Sequence, residues 1–432
     1  MKCVVLGAGE SGVGSALLAK EKNYSVFVSD FSKIDDPFKK ELIDANIEFE
    51  DGGHSLEKIY DADVIVKSPG IPDHIALIQD ALMEGIEVIS EIEFASRFCE
   101  KPIIAITGSN GKTTTTALIH HLFQGSGLTS KIGGNYGISF ARLLLEKEAA
   151  DVYVLEISSF QLDGISSFKP NVSILLNISA DHLDRYDYKL ENYAKSKMRI
   201  TENQDAEDVF IYNKYDDLTN QLLHEKPSLA KAIPINGVVD ELKLLDGSPL
   251  KNNNKLLRYA HNKFNAQCAI HAARTFGLKP EHIEKQLTSF QGESHRMELV
   301  SEMNGIEFIN DSKATNVDAV KKALQSIDKP VIWLAGGTDK GNDYSELEQL
   351  VKSKVKALLC VGVDNTALKN AFQDIVPEVM ETTKIDEAVK SAFRLAVKGD
   401  IVLLSPACAS FDLFNNYKDR GDQFRNAVAK LN

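Results

Sequence analysis

The run Ile103-Ile104-Ala105-Ile106 passes directly into Thr107-Gly108-Ser109-Asn110-Gly111-Lys112-Thr113-Thr114. Four apolar residues between Pro102 and a glycine turn read as a buried strand, and the residues that follow read as a helix. Strand, glycine loop and helix in that order make a cradle for phosphate. Glycines let the backbone turn until several N–H groups face one anion, and the helix N-terminus adds about half a positive charge. Lys112 would bridge the β- and γ-phosphates, and the Thr113 hydroxyl would face Mg²⁺. The general pattern has a glycine where Ile106 stands, so its first position is unmatched.

Such a loop needs a sheet behind it. The 432 residues suggest about three domains. Three stretches each open with a strand pattern and continue as alternating strands and helices, which argues for α/β units with parallel sheets. An N-terminal Rossmann-like unit is expected over 1–96, with strands near 2–6, 24–29 and 63–66. A central P-loop ATPase-like parallel sheet is expected over 97–293, with strands near 103–106, 151–157, 172–177 and 208–212. A C-terminal Rossmann-like unit is expected over 294–432, with strands near 306–310, 330–335, 356–361 and 400–404.

A formal net charge of −13 disfavours nucleic acid as a partner but leaves room for a small phosphorylated ligand. The five cysteines, Cys3, Cys99, Cys268, Cys360 and Cys408, form no C-x-x-C pair, so neither a disulfide framework nor a structural zinc site is expected. Unpaired thiols suit a reducing compartment. The N-terminus enters a strand pattern at once, and no apolar run approaches the ~20 residues that span a bilayer. A cytoplasmic monomer without membrane partners is expected.

Three further features point to a site. Glu156 ends the strand near 151–157, where a carboxylate could hold Mg²⁺ beside the phosphates. The next strand leads into Ile178-Ser179-Ala180-Asp181-His182-Leu183-Asp184-Arg185, a dense polar cluster at a strand end. A helix over 189–200 places Leu190, Tyr193, Ala194, Lys197 and Ile200 on one face. Burial there would lower the Lys197 pKa and leave a neutral, nucleophilic amine. The pattern equally allows the stem to pack while the charge snorkels to water.

The N-terminal unit carries Gly7-Ala8-Gly9-Glu10-Ser11-Gly12, with Asp30 18 residues after Gly12. This matches the dinucleotide fingerprint and, alone, admits a nicotinamide-dependent oxidoreductase. The separate phosphate loop argues against that class, as does the absence of an evident hydride-transfer site.

Seven segments in order resemble the Mur ligases of bacterial cell-wall synthesis, over essentially the whole chain. They are the phosphate loop, Glu156-Ile157-Ser158-Ser159-Phe160-Gln161-Leu162, Asp181-His182-Leu183-Asp184-Arg185, His261-Asn262-Lys263-Phe264-Asn265, His295-Arg296-Met297-Glu298, Asn310-Asp311-Ser312-Lys313-Ala314-Thr315-Asn316 and Leu404-Ser405-Pro406-Ala407-Cys408-Ala409-Ser410. The likeness is greatest to the members that add D-glutamate. It implies an ATP-dependent carboxylate–amine ligase that joins D-glutamate to UDP-N-acetylmuramoyl-L-alanine through an acyl phosphate, with ATP and Mg²⁺. The nearest rival within the family is an L-alanine-adding ligase.

The resemblance also implies residue roles. Lys112, His182 and Lys197 would be catalytic. Gly108, Ser109, Asn110, Gly111, Lys112, Thr113, Thr114, Asn262, Asn265, Arg296, Asp311 and Lys313 would bind ATP. Thr113, Glu156, His182 and Lys197 would serve the metals, with Lys197 carbamylated by CO₂. Gly9, Gly12, Asp30, Ser68, Pro69, Gly70 and Asn135 would contact the UDP substrate. Thr315, Lys340, Ser410 and Tyr417 would hold D-glutamate.

Overall fold

The computed structural model describes every residue except Leu245, Asn252, Asn253, Tyr259, Glu293, Lys340 and Asn432. The chain forms two compact units, Met1–Phe290 and Gln291–Asn432.

The first unit holds two parallel sheets. One contains β1 (Lys2–Leu6), β2 (Ser25–Asp30), β3 (Glu48–Asp51), β4 (Val64–Lys67) and β5 (Glu87–Ser90), in the order β3-β2-β1-β4-β5. The other contains β6 (Ile103–Thr107), β7 (Ser130–Gly134), β8 (Val152–Glu156), β9 (Val172–Leu175), β10 (Val209–Asn213) and β11 (Lys231–Ile235), in the order β11-β10-β9-β6-β8-β7. Cys3, Val4, Val5 and Leu6 are fully buried, as are Ile104, Ala105 and Ile106. Strands covered on both faces are expected to be apolar throughout rather than alternating.

The second unit holds β12 (Glu298–Met303), β13 (Ile306–Asn310), β14 (Val331–Ala335), β15 (Val355–Val361), β16 (Glu378–Thr382) and β17 (Ile401–Leu404), in the order β12-β13-β17-β14-β15-β16. β12 runs antiparallel to β13 and the other pairs are parallel, so this sheet is mixed. The α/β class and the three sheets agree with the sequence reading. The two strands expected to reach 157 and 177 stop at Glu156 and Leu175, and the residues beyond them form site loops.

Side chains join the two sheets of the first unit. The fully buried Glu93 carboxylate lies in the helix Glu91–Ser96 and accepts the N–H groups of Ser166, Ser167 and Phe168 at 2.9, 2.9 and 2.7 Å. Arg142 pairs with Glu10 at 3.0 Å and Glu41 at 2.6 Å. Among the described residues, no helix is long and apolar enough to cross a membrane.

Candidate active site

The phosphate loop lies between β6 and the helix Lys112–Phe123. Gly108 and Gly111 take φ of +147° and +87°, which side chains rarely adopt. A Cβ on Gly111 would also stand 2.6 Å from Asn265 Oδ1. The residues after β9 strap the loop in place. Asn177 Oδ1 accepts Asn110 N–H at 2.9 Å, and Asn177 Nδ2 donates to the Asn110 carbonyl at 2.9 Å. Ser109 Oγ donates to the Ser179 carbonyl and accepts Ser179 N–H, both at 2.9 Å. These bonds hold the loop backbone in place from the side of β9.

Two lysines converge on this loop. Lys112 Nζ donates to the carbonyls of Gly108 at 2.7 Å and Ser109 at 3.0 Å. Lys197 projects from the helix Leu190–Met198, is 1% exposed, donates to the same Gly108 carbonyl at 3.0 Å, and stands 4.5 Å over the Tyr193 ring. Burial, then the nearby Lys112 ammonium, push its pKa well below the lysine range. Of the two readings left open by the helical pattern, burial prevails over snorkelling.

Glu156 ends β8 beside Ile106 of β6 and is buried. Its Oε1 accepts Asn135 Nδ2 at 2.9 Å, while its Oε2 has no hydrogen-bond partner among the described residues. Asn135 N–H also donates to the Glu156 carbonyl at 2.8 Å. Asn135 therefore orients the acid in this structure. A buried carboxylate oxygen without a partner is costly unless something else meets it. Oxygen donors at that position fit a hard cation such as Mg²⁺, and Thr113, in the first turn after the loop, is buried.

His182 opens the short helix Leu183–Arg185 with φ of +51°, its side chain is 56% exposed, and its nearest acid is Asp181 at 3.7 Å. No hydrogen bond or ion pair joins His182 to Lys197, and among the described residues no three His, Cys, Asp or Glu side chains cluster as metal ligands. Beside His182, the Arg185 guanidinium covers the Phe160 ring at 4.5 Å and donates to the Gly70 carbonyl at 3.3 Å.

Asn262 and Asn265 lie one turn apart on the helix Ala260–Thr275. Asn265 is buried against Gly111, whereas Asn262 Nδ2 donates to the Leu256 carbonyl at 3.0 Å.

At the first sheet, a Cβ on Gly12 would stand 1.8 Å from the Gly7 carbonyl oxygen, which fixes glycine there by contact. Gly9 faces open space. Asp30 joins two loops: its Oδ2 accepts Ala8 N–H at 2.7 Å and its Oδ1 accepts Ser32 N–H at 2.8 Å. Ser68 Oγ donates to the Gly7 carbonyl at 3.4 Å, so the loop with Pro69 and the exposed Gly70 sits beside the glycine turn.

The second unit gathers its motifs at the carboxyl ends of β13, β14 and β17. The buried Asp311 accepts Ser405 Oγ at 2.9 Å and Met297 N–H at 3.2 Å. Burial raises its pKa to about 6 against the opposing Ser405 hydroxyl and Arg296. Lys313 N–H donates to the His295 carbonyl at 3.0 Å, and Thr315 is exposed. Ser410 is buried and accepts Phe414 N–H through its carbonyl. Tyr417 begins the helix Tyr417–Ala429, and its carbonyl accepts Ser312 Oγ at 2.8 Å. Lys340 lies outside the described residues.

The sequence reading missed Asn177 and Arg420. The signal for Asn177 was a polar residue just beyond a buried strand that neighbours the loop-bearing strand. Buried Arg420 donates to Ser312 Oγ and to the carbonyls of Ser312, Gly336 and Cys408, tying three loops together. Its helical position carried no such signal.

Comparison with known proteins follows the same division. Residues 2–76 match the MurD N-terminal domain, 106–243 the Mur ligase middle domain, and 295–408 the Mur ligase glutamate ligase domain. A UDP-N-acetylmuramoylalanine--D-glutamate ligase of Christiangramia forsetii is 49% identical, over 100% of this chain and 99% of its own. The protein of that name from Bacteroides fragilis is 45% identical over 100% of both chains. Among solved structures, MurF ligase from Thermotoga maritima in complex with ADP aligns with a TM-score of 0.60 at 15% identity, over 96% of this chain and 99% of its own. UDP-N-acetylmuramate-alanine ligase MurC from the same organism aligns at 0.59 and 19% identity, over 100% of both chains. These two alignments establish the three-domain fold, and the close sequence relatives narrow the kinship. With its glycine loop, paired lysines and buried strand-end acid, the chain belongs to the Mur ligase family and groups within it with the UDP-N-acetylmuramoylalanine--D-glutamate ligases.

Proposed function

We propose that this protein joins the amine of D-glutamate to the carboxylate of UDP-N-acetylmuramoyl-L-alanine, with ATP converted to ADP and phosphate. The observation that carries the reading is the meeting of Lys112 and the buried Lys197 on the carbonyl of Gly108, inside a strapped phosphate loop. Kinship with D-glutamate ligases supports the substrate pair.

A carboxylate and an ammonium at neutral pH form a salt rather than an amide. The carboxylate must first gain a leaving group. Its oxygen attacks the γ-phosphorus of ATP, ADP departs, and an acyl phosphate results. The ammonium gives up a proton to a base, the resulting amine attacks the acyl carbon, and phosphate leaves from a tetrahedral intermediate. Backbone N–H groups at the start of the helix Lys112–Phe123 and the Lys112 ammonium would offset charge on the transferring phosphoryl group, an effect that needs donors already in place. To receive phosphate, Lys112 would exchange its two loop carbonyls for phosphate oxygens. Asn265 and Asn262 would line the nucleoside.

Thr113 and Glu156 would hold Mg²⁺, which when bound supplies further neutralisation of phosphate charge. His182 and a carbamate on Lys197 would hold a second ion. A lysine displaced toward its neutral form has the lone pair that adds to CO₂.

Residues 1–96 would take the uridine diphosphate moiety, through the glycine turn at Gly9 and Gly12, through Asp30, and through Ser68, Pro69 and Gly70. Asn135 would approach the muramoyl portion from the edge of the central sheet while steadying Glu156. Residues 97–293 would bind ATP, and 294–432 the amino acid through Thr315, Lys340, Ser410 and Tyr417. Arg296, Asp311 and Lys313 would contribute to the nucleotide from that side.

The test is phosphate release with single omissions. Sustained release should require ATP, UDP-N-acetylmuramoyl-L-alanine and D-glutamate together. Equal release without D-glutamate would contradict the proposal, as would efficient replacement of D-glutamate by L-alanine.

A further inference from the structure

We propose that Glu10 is a positioning residue for the ligation. Through Ser139 and Arg142 it sets the spacing between the glycine turn, which takes one end of the nucleotide substrate, and the Asn135 turn, which meets the other. The inference rests on the reading that residues 1–96 take the uridine diphosphate moiety.

Such a substrate spans two sheets. Its diphosphate sits at the end of β1, and its carboxylate must reach a phosphate held at the end of β6. An error in the spacing of the two ends is therefore an error in the geometry of attack. Glu10 follows Gly9 in the glycine turn and opens the helix Glu10–Glu21. Its Oε1 accepts Ser139 N–H at 3.1 Å and pairs with Arg142 Nε at 3.0 Å. Arg142 Nη1 also donates to Glu41 Oε2 at 2.6 Å, and Ala141 N–H donates to Glu91 Oε1 at 2.6 Å. The start of the helix Phe140–Leu145, which belongs to the central sheet, is thus held by acids on the helices Glu10–Glu21, Asp36–Asp44 and Glu91–Ser96. A Cβ on Gly14, one turn after Glu10, would collide with Ser139 Oγ, so the two elements approach as closely as glycine permits. Ion pairs open to water add little stability, and the Glu10 side chain is 42% exposed. What acids from separate helices give this helix start is one defined position.

The segment held in this way leads back to the strand-end acid of the central sheet. Asn135 precedes Ser139 by four residues. The turn between them is closed by Gly134 N–H, which donates to the Ile138 carbonyl at 2.9 Å. A Cβ on Gly133 would collide with the Ile138 carbonyl oxygen, and one on Gly134 with that of Glu156, so the turn lies against β8 without slack. Asn135 then meets Glu156 twice, through Nδ2 to Oε1 at 2.9 Å and through its N–H to the carbonyl at 2.8 Å. Glu10 thereby fastens the glycine turn to the one segment that touches both the muramoyl side of the site and Glu156.

The experiment compares full-length wild type, Glu10→Ala, Glu10→Gln and Arg142→Ala. UDP and ATP binding are read by calorimetry, and turnover with UDP-N-acetylmuramoyl-L-alanine and D-glutamate by phosphate release. UDP and ATP each meet one sheet, so both should bind the variants within a few-fold of wild type. The spanning substrate should be delivered badly, with kcat down about tenfold or more in both alanine variants. Glu10→Gln, which keeps an acceptor for Ser139 N–H, should recover part of that loss. A merely structural role would lower the melting temperature and leave kcat per folded molecule intact, which would overturn the proposal. So would UDP affinity falling in step with kcat, since Glu10 would then act at the nucleotide itself. Either result leaves the nucleotide reading standing; a wild type that binds no UDP would overturn both.

Discussion

Lys112 and Lys197 donate to one acceptor, the carbonyl oxygen of Gly108, at 2.7 and 3.0 Å. Two ammonium groups that close to each other in a buried setting cannot both remain fully charged without cost, and burial weighs on Lys197 more heavily. If the neutral Lys197 amine becomes a carbamate, a small external carboxylate should partly replace it. Lys197→Ala is expected to lose about 10²–10³ of kcat and to regain a measurable part of it in acetate. Activity in Lys197→Ala that is indifferent to acetate would argue against a carbamate.

Lys112 has a different task. Its side chain starts the helix after the loop, and its charge is needed where phosphoryl oxygens gather. Lys112→Ala should reduce turnover by about 10²–10³ with circular dichroism and melting behaviour preserved. Steady-state phosphate release reads the first and thermal melting the second.

Asn177 touches the loop through a peptide-like pair of hydrogen bonds to Asn110. Asn177→Ala would remove about 1–3 kcal/mol of local restraint and let the loop relax away from its anion-ready form. The KM for ATP is expected to rise about tenfold or more, with the KM for D-glutamate little changed. A uniform fall in kcat without a change in the ATP KM would place Asn177 in another role.

Glu93 gives a pH signature. Burial alone would raise its pKa, but the Ser167 hydroxyl and the N–H groups of Ser166, Ser167 and Phe168 prevail and bring it from 4.5 down to about 2. A carboxylate with a depressed folded pKa stabilises fully above its unfolded value, and that contribution fades as pH falls toward the folded one. Glu93→Gln should therefore melt below the wild type at pH 7, and the gap should narrow between pH 4.5 and 2. A gap that is constant with pH would mean the charge is irrelevant.

The sequence revealed sheet interiors and hid sheet edges. Every strand expected from the apolar runs lies inside a sheet. The six that escaped notice, β3, β5, β7, β11, β12 and β16, are the two edges of each of the three sheets. The cause is physical. Interior parallel strands are buried on both faces and read as continuous apolar runs. Edge strands such as Glu48-Phe49-Glu50-Asp51 and Glu378-Val379-Met380-Glu381-Thr382 carry charge, and none of their residues is fully buried.

The site divides in a similar way. Lys197 stood out because a charged residue in an apolar helical stripe is anomalous, but the stripe left burial and snorkelling open, and only the structure shows it buried. Glu156 was legible from its strand end. Asn177 and Arg420 act through backbone carbonyls and amides contributed by distant loops, and no local pattern encodes such partners. Asn135 was expected toward substrate, and its bond to Glu156 became visible only once β7 and β8 were seen side by side.

The central claim is that the acceptor carboxylate is phosphorylated before the amide forms. If so, one carboxylate oxygen must leave with the phosphate. The direct measurement uses UDP-N-acetylmuramoyl-L-alanine with an ¹⁸O-labelled carboxylate, ATP and D-glutamate, followed by mass analysis of the released phosphate. The account expects one ¹⁸O in each phosphate formed with product. Unlabelled phosphate accompanying full product formation would contradict it.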